Sequence, residues 1–277
     1  MEKYSVLMTV YAKVKPEELR LSVGSVVNQT YKPDQIIVVW DGPVGDELAA
    51  VLDDYKSVQP DLFTVVALSE NHGLAYALNA GLEVARNDLI ARMDSDDYSL
   101  PNRCELQVKE FEKRKKLVLL GGQVRRFSDS IDNILGSSRI FPTTESEIRS
   151  ALRRKNPFSH PTVMFRKSAV DQCGGYNSDL RRRQDYELFS RMIVHNNMEG
   201  GNLPDVVLLF RFDESYKNRN RNKESCQNRI KVQKILYKRG DCSLSDYLYI
   251  WAAMTAVRLM PYSLYKKIMW KDKGSSV

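Results

Sequence analysis

The chain has 277 residues, enough for one large domain or two small ones around a sizeable core. Its ordinary globular composition excludes a disordered or collagen-like chain. The excess of 42 basic over 35 acidic residues, a net charge of +7, suits anionic partners such as nucleotide phosphates, nucleic acid or an anionic membrane surface. Cys104, Cys173, Cys226 and Cys242 have no C-x-x-C spacing, so they read as reduced thiols of a cytosolic protein and not as a zinc site. "MEKYSVLMTV" enters a strand pattern at once, without the basic and apolar regions of a secretory signal.

Taken in chain order, "SVLMTVYA" and "QIIVVWD" are short, almost continuously apolar runs, as expected for parallel strands covered on both faces. Between them, "PEELRLSVGSVVNQ" places Leu19, Val23, Val26 and Val27 on one helical face, with Pro16 at the start. "LFTVVALS" follows as a third strand. "NHGLAYALNAGLEVA" carries the next helical stripe (Leu74, Ala77, Leu78, Gly81, Leu82, Ala85), and "DLIARM" is a fourth strand. This alternation predicts a doubly wound, mostly parallel α/β sheet with helices on both faces and a ligand beyond the carboxyl ends of the strands. Asp41 and Asp94 fall at two such ends.

The middle of the chain is less regular. "LVLLGG" reads as a strand, "ESEIRSALRRK" as a helix, "TVMFRKSAV" as a strand running into a helix, and "DVVLLFRF" as a late strand. "QDYELFSRMIVH" reads as a helix with Leu188, Met192 and His195 on one face. Gly174–Gly175 and Gly200–Gly201 read as turns. At the end, "LSDYLYIWAAMTAVRLM" is apolar nearly all round and is broken at Pro261, but it is shorter than the ~20 residues of a membrane span. With Tyr, Trp and Lys at its edges, it suits a helix lying in a lipid headgroup zone. A helix packed on the domain, or a dimer contact, is the alternative.

"IARMDSDDYSLPNR" puts Asp94, Asp96 and Asp97 within four residues. Like charges that close repel, so a positive partner is expected. An EF-hand fails, because Ser99 stands where glycine is needed and Pro101 interrupts the loop. A phosphatase-type D-x-D-x-T fails as well, since Tyr98 replaces the threonine. A helix-capping aspartate explains one carboxylate but not three. A hard cation shared with phosphate oxygens explains the group better.

Six segments, "VLMTVYAK", "VVNQTYKPDQIIVVWDG", "NHGLAYALNAGL", "LIARMDSDD", "NPFSHPTVMFRKSAV" and "GGY…RRRQDYELFSRM", resemble in this order the motifs of family 2 inverting glycosyltransferases. The subgroup is the bacterial exopolysaccharide and O-antigen enzymes of the amylovoran-synthesis type. The resemblance spans about Tyr4 to Phe212. It implies a GT-A fold, a nucleotide-sugar donor and Mn²⁺ or Mg²⁺. It further implies that Thr9 and Tyr11 meet the nucleobase, that Asp41 accepts a base N–H, and that Asn71 precedes a phosphate-facing helix. In the same scheme Asp94 holds the ribose, Asp96 the metal, and Asp97 supports or caps the next segment. Asp185 in "QDYEL" becomes the general base that inversion requires. Each residue also has a plainer reading: Tyr11 as core, Asp41 as a turn former, Asp185 as a helix cap, His160 of the "HP" element as structural.

The chain departs from that family at Gln184, where an acidic residue is common. It departs again in the late loop, where "LLFRFDES" offers Asp213 in place of a histidine, which leaves Arg211 or "KNRNRNK" to neutralise the diphosphate. The expectation is therefore a donor-binding half (1–98), an acceptor-binding half (99–214) and a C-terminal extension of amphipathic helices (215–277) on the membrane surface. The enzyme would move galactose or glucose from a UDP-sugar to a lipid-diphosphate-linked sugar, as a peripheral protein on the cytoplasmic face of the bacterial inner membrane. A sugar nucleotidyltransferase lacks its Gly-rich loop in "TVYAKVKPEE", and a noncatalytic nucleotide-sugar binder is the other alternative. Nucleic acid is not an expected partner, because the charge is dispersed along the chain.

Overall fold

The structure is a computed structural model describing residues 1–136, 140–212 and 223–260. Its first part alternates β1 (Tyr4–Val10), α1 (Pro16–Val27), β2 (Gln35–Trp40), α2 (Asp46–Val58), β3 (Phe63–Ala67), α3 (Leu74–Glu83) and β4 (Leu89–Asp94). β1 lies between β2 and β4, β3 flanks β2, and every one of these pairings is parallel. Alternate residues of the strands feed opposite faces. Val6, Met8, Ile36 and Val38 join the core under α1 and α2, whereas Leu7, Ile37 and Val39 join the core under α3. The second face requires a glycine. A Cβ on Gly81 of α3 would stand 2.3 Å from Leu7 Cδ1 and 2.9 Å from Val39 Cγ2, both in a closed core.

The later elements are β5 (Tyr98–Ser99), α4 (Arg103–Lys113), β6 (Leu117–Phe127), β7 (Ile134–Leu135), α5 (Glu145–Leu152), β8 (Met164–Arg166), α6 (Lys167–Gln172), α7 (Gln184–Ser190), β9 (Glu199–Arg211), α8 (Lys223–Arg239) and α9 (Leu244–Leu259). Among the described residues nine strands make one sheet in the order β3-β2-β1-β4-β8-β6-β9-β5, with β7 on β6. The parallel arrangement ends at β4, since β8 runs antiparallel to both β4 and β6. The fully buried Arg103 closes this junction: its Nη2 donates to Arg92 O at 2.7 Å and to Val163 O at 3.3 Å. Gln107, one turn further along α4, donates to Leu120 O and Thr162 O. Backbone acceptors inside the sheet are thereby satisfied without water.

Two local expectations are corrected. Gly200 and Gly201 are not a turn but lie inside β9, where a Cβ on Gly200 would meet Ile193 Cδ1 at 2.4 Å; they are there because the strand passes close beneath the α7 segment. His195 does not share a face with Leu188 and Met192. After α7 the chain widens into a π-turn over Arg191–His195, with Asn196 N bonded to Arg191 O, and this rotates His195 to the exposed side.

The C-terminal helices form as the sequence indicates. Ser243 and Asp246 close a reciprocal capping box at the start of α9. Helix α9 packs against α8 and buries Asp246 and Ile250, leaving Leu244, Leu248, Tyr249, Trp251 and Leu259 exposed. Asp213, most of "KNRNRNK" and the segment after Pro261 lie outside the described residues.

Candidate active site

Registration of the parallel strands sets Thr9 opposite both Val39 and Asp94, so β1, β2 and β4 end together. Strand β4 ends at Asp94, and a tight turn carries Asp96 and Asp97 into β5. One carboxylate oxygen from each of the three aspartates can be chosen so that all lie within 4.8 Å of one another. Asp97 is 1% exposed; its Oδ1 accepts the backbone N–H of Arg211 at 2.8 Å, while its buried Oδ2 has no hydrogen-bond partner. Burial, reinforced by Asp96 and Asp94, pushes the Asp97 carboxyl well above its ordinary range.

The nearest compensating charge is Arg92, two residues before Asp94 and 2% exposed. Its Nη2 forms an ion pair with Asp94 Oδ1, but its Nε and Nη1 are buried without partners. Burial opposes its charge, yet the adjacent Asp94 carboxylate prevails and raises its pKa. Even with Arg211, whose Nε reaches Asp96 O, two guanidiniums do not balance the three aspartates and Glu18. The unsatisfied Asp97 oxygen and the all-oxygen donor set fit a hard divalent cation, which Asp94, Asp96 and Asp97 are placed to hold.

At the ends of β1 and β2, Tyr11 is 40% exposed just past β1, which removes its reading as a core residue. Asp41, just past β2, organises its own neighbourhood. Its carboxylate accepts the N–H groups of His72 at 2.8 Å and Gly73 at 3.1 Å, and Asn71 Nδ2 at 3.0 Å. That grip fixes the Asn71–Gly73 approach to α3, where Gly73 adopts φ 92°. Thr9 is half-buried at the strand end and Asn71 is exposed.

Arg211 reaches the cluster from β9, but as a brace. Its Nε donates to Asp96 O at 2.9 Å, its Nη1 to Ser128 O at 3.2 Å, and its guanidinium lies 4.6 Å over the Phe127 ring. It fixes the backbone of the acidic turn, with Glu18 3.7 Å from its Nε.

Asp185 lies in the first turn of α7, after Arg183 takes the helix N-cap position with φ 64°. It is half-buried, and Asn156 Nδ2 donates to its Oδ2 at 2.7 Å. Burial raises its carboxyl pKa, against opposing pulls from the Tyr186 N–H, Arg183 and Arg92. His160 follows the same segment as Asn156, and its Nε2 lies 3.1 Å from the Tyr176 hydroxyl. Burial, with Arg92 behind it, holds this imidazole well below its usual pKa, so the ring is neutral at pH 7. Tyr176 is fixed from α3, since Asn79 Oδ1 accepts its N–H at 2.9 Å and Asn79 Nδ2 donates to its carbonyl at 2.8 Å.

Three residues that motif reading passed over therefore matter: Arg92, Asn156 and Tyr176. Arg92 had a signal in the sequence, because it is the single charge inside an apolar strand and period two puts it on the Asp94 face. Asn156 and Tyr176 stand within quoted motifs, but only tertiary contacts reveal their partners.

The α/β sheet, with a tri-carboxylate turn beyond the carboxyl end of its parallel strands, has the architecture of GT-A glycosyltransferases. Residues 5–174 match the model of Glycosyl transferase family 2. The chain is 33% identical over 272 residues to the Amylovoran biosynthesis glycosyltransferase AmsE of Erwinia amylovora, covering 98% of this chain and 99% of that protein. It is 30% identical to a UDP-Gal:alpha-D-GlcNAc-diphosphoundecaprenol beta-1,3-galactosyltransferase of Escherichia coli, covering 96% of each. Among solved structures it resembles the mannosyltransferase PcManGT of Pyrobaculum calidifontis in complex with GDP-Man and Mn²⁺. The TM-score is 0.63 and the identity 15%, over 97% of this chain and 79% of that one. The protein belongs to glycosyltransferase family 2 and is a glycosyltransferase.

The buried Asp97 carboxylate carries a stability cost. Its folded pKa is raised, so stability is lost as pH climbs from the unfolded carboxylate range through the folded value. In EDTA at pH 7, Asp97→Asn is expected to raise the melting temperature by roughly 2–4 °C, as about 1 kcal/mol would in a chain of this size. Its cation-dependent turnover should fall. Calorimetry showing a lower melting temperature for the variant would contradict this.

Proposed function

We propose that the protein is an inverting hexosyltransferase of bacterial surface-polysaccharide synthesis. It transfers galactose or glucose from a UDP-sugar to a lipid-diphosphate-linked sugar with Asp185 as general base. The observation that carries this reading is the position of Arg92, which is ion-paired to Asp94 on the donor side and within electrostatic reach of Asp185 and Tyr176 on the other. This supports a reading in which the acidic turn and the base serve one reaction. The relatives' names supply the substrate class, since one uses UDP-Gal with a diphosphoundecaprenol-linked acceptor and another serves amylovoran synthesis.

Tyr11 and Thr9 receive the nucleobase at the end of β1, with Asp41 ordering the adjoining loop and contributing an acceptor to the base. Asp94 orients the ribose. Asp96, with Asp97 and Asp94 beside it, holds Mn²⁺ or Mg²⁺, which when bound neutralises charge on the departing diphosphate. The acceptor hydroxyl approaches from the Asp185 side. Its oxygen forms the new bond to the anomeric carbon as the bond to the nucleoside diphosphate breaks, and its proton passes to the Asp185 carboxylate. His160 is neutral beside Tyr176, a pair that shapes the acceptor wall without adding charge.

The acceptor's lipid implies a bilayer. Among the described residues no helix is long and apolar enough to cross a membrane. Helix α9 instead offers Leu248, Tyr249, Trp251 and Leu259 to a surface, with Arg153 and Arg154 half-exposed at the same end and Arg154 stacked 4.7 Å over Tyr249. Apolar anchors with an arginine rim fit an anionic leaflet, so the protein sits peripherally on the cytoplasmic face of the inner membrane.

Asp185→Asn should abolish transfer while retaining UDP binding, and wild-type turnover in that variant would eliminate the base assignment. Because the base acts ionised and burial raises its pKa, kcat/KM in the wild type should decline on the acid side at a pH above the ordinary carboxylate range. A limb at or below pH 4 would contradict it. In flotation assays with phosphatidylglycerol-containing vesicles, the wild type should rise with the lipid and a Leu248→Glu, Trp251→Glu, Leu259→Glu variant should stay behind. Equal flotation would remove the α9 surface from the account.

A further inference from the structure

The segment after α5 joins the base to the C-terminal helices, and the function as proposed uses it only for the arginines at the lipid surface. Asn156 donates Nδ2 to Asp185 Oδ2 at 2.7 Å, and its Oδ1 accepts the Phe158 N–H at 3.1 Å. The second bond fixes which end of the amide faces the carboxylate, since the end turned to an N–H must be the oxygen. The residues just before Asn156 are held from three directions. Leu152 O accepts the Tyr186 hydroxyl at 2.8 Å, and Arg153 O accepts Gln233 Nε2 from α8 at 2.7 Å. The side chains of Arg153 and Arg154 both grip Asp246 of α9, at 2.8 Å and 2.6 Å. Asp246 is itself buried and locked in the capping box that starts α9.

We propose that Asn156 is a positioning residue for Asp185, and that its own place is set by the α8–α9 pair through Asp246, Arg153 and Arg154. Holding one carboxylate oxygen fixes rotation of the whole group about its Cβ–Cγ bond, and so aims the base at the incoming hydroxyl. The bond also stabilises the ionised form. Charged and titratable groups facing Asp185 from other elements are Arg92 of β4, Arg183 before α7 and Tyr176 after α6. All of them remain when Asn156 is changed, so a shift on its removal is its own. The α9 helix is thus an anchored support of the catalytic carboxylate as well as a surface for lipid. This inference rests on Asp185 being the proton acceptor.

The test uses the full-length protein with UDP-galactose and a synthetic diphosphate-linked N-acetylglucosamine acceptor, together with ¹³C-carboxyl NMR titration of Asp185, which needs no substrate. Asn156→Ala should lower kcat roughly ten- to a hundredfold with the UDP-galactose KM unchanged. It should also move both the acid limb and the NMR titration of Asp185 to higher pH. Asp246→Asn, which substitutes neither Asn156 nor Asp185, should produce a smaller shift in the same direction. A folded Asn156→Ala protein with wild-type kcat and an unmoved titration overturns the positioning role. An unmoved titration in Asp246→Asn overturns the link to α9. If Asn156→Ala does not fold, Asn156→Ser, too short to reach Oδ2, reads the same quantities. Failure of the base assignment is read separately, as full turnover in Asp185→Asn, whereas failure of the positioning role leaves Asp185→Asn inactive.

Discussion

Three carboxylates converging within 4.8 Å at the end of one strand set the constraint that the rest of this structure serves. Left to themselves they would repel, and one of them is buried with an unsatisfied oxygen. The fold holds them there by covalent brevity, since they span four residues of a single turn, and by bracing from β9. Arg211 gives its N–H to Asp97 and its guanidinium to the Asp96 carbonyl. A turn that costs stability in isolation is an arrangement waiting for a positive charge, and such strain is commonly found at functional sites.

Arg92 lies in β4, where the parallel run of the sheet gives way to antiparallel pairing. It pairs with Asp94, adds to the burial that keeps His160 neutral, and favours the ionised form of Asp185. The sheet makes this possible. β4 ends the parallel run β3-β2-β1-β4, and β8, carrying the segment after His160, pairs with it antiparallel. A residue in β4 therefore lies at the seam between the parallel strands and the elements that bring Asn156, His160 and Asp185.

Much of this was legible in the sequence because it follows from local periodicity. The four parallel strands, the helices between them and the acidic turn come from short-range patterns whose physics is local. What was not legible depends on packing at long range. Gly200 and Gly201 look like a turn and are instead the thin part of a strand beneath Ile193. His195 follows a helical repeat in sequence, but a π-turn breaks the phase. Asn156 and Asp185 are 29 positions apart, and no spacing rule pairs them. Arg211, which with "KNRNRNK" is a candidate counter-charge for the diphosphate, also clamps the turn that holds the cluster, through bonds that no sequence pattern shows.

The central claim is that the acidic turn holds a nucleoside diphosphate through a shared divalent cation. Isothermal titration of UDP with and without Mn²⁺, in the wild type and in Asp96→Asn, measures it most directly. The account predicts that Mn²⁺ tightens UDP binding by about tenfold or more in the wild type, and that Asp96→Asn loses this gain while keeping its fold. Equal UDP affinity with and without Mn²⁺ in the wild type, or an undiminished gain in Asp96→Asn, would contradict it.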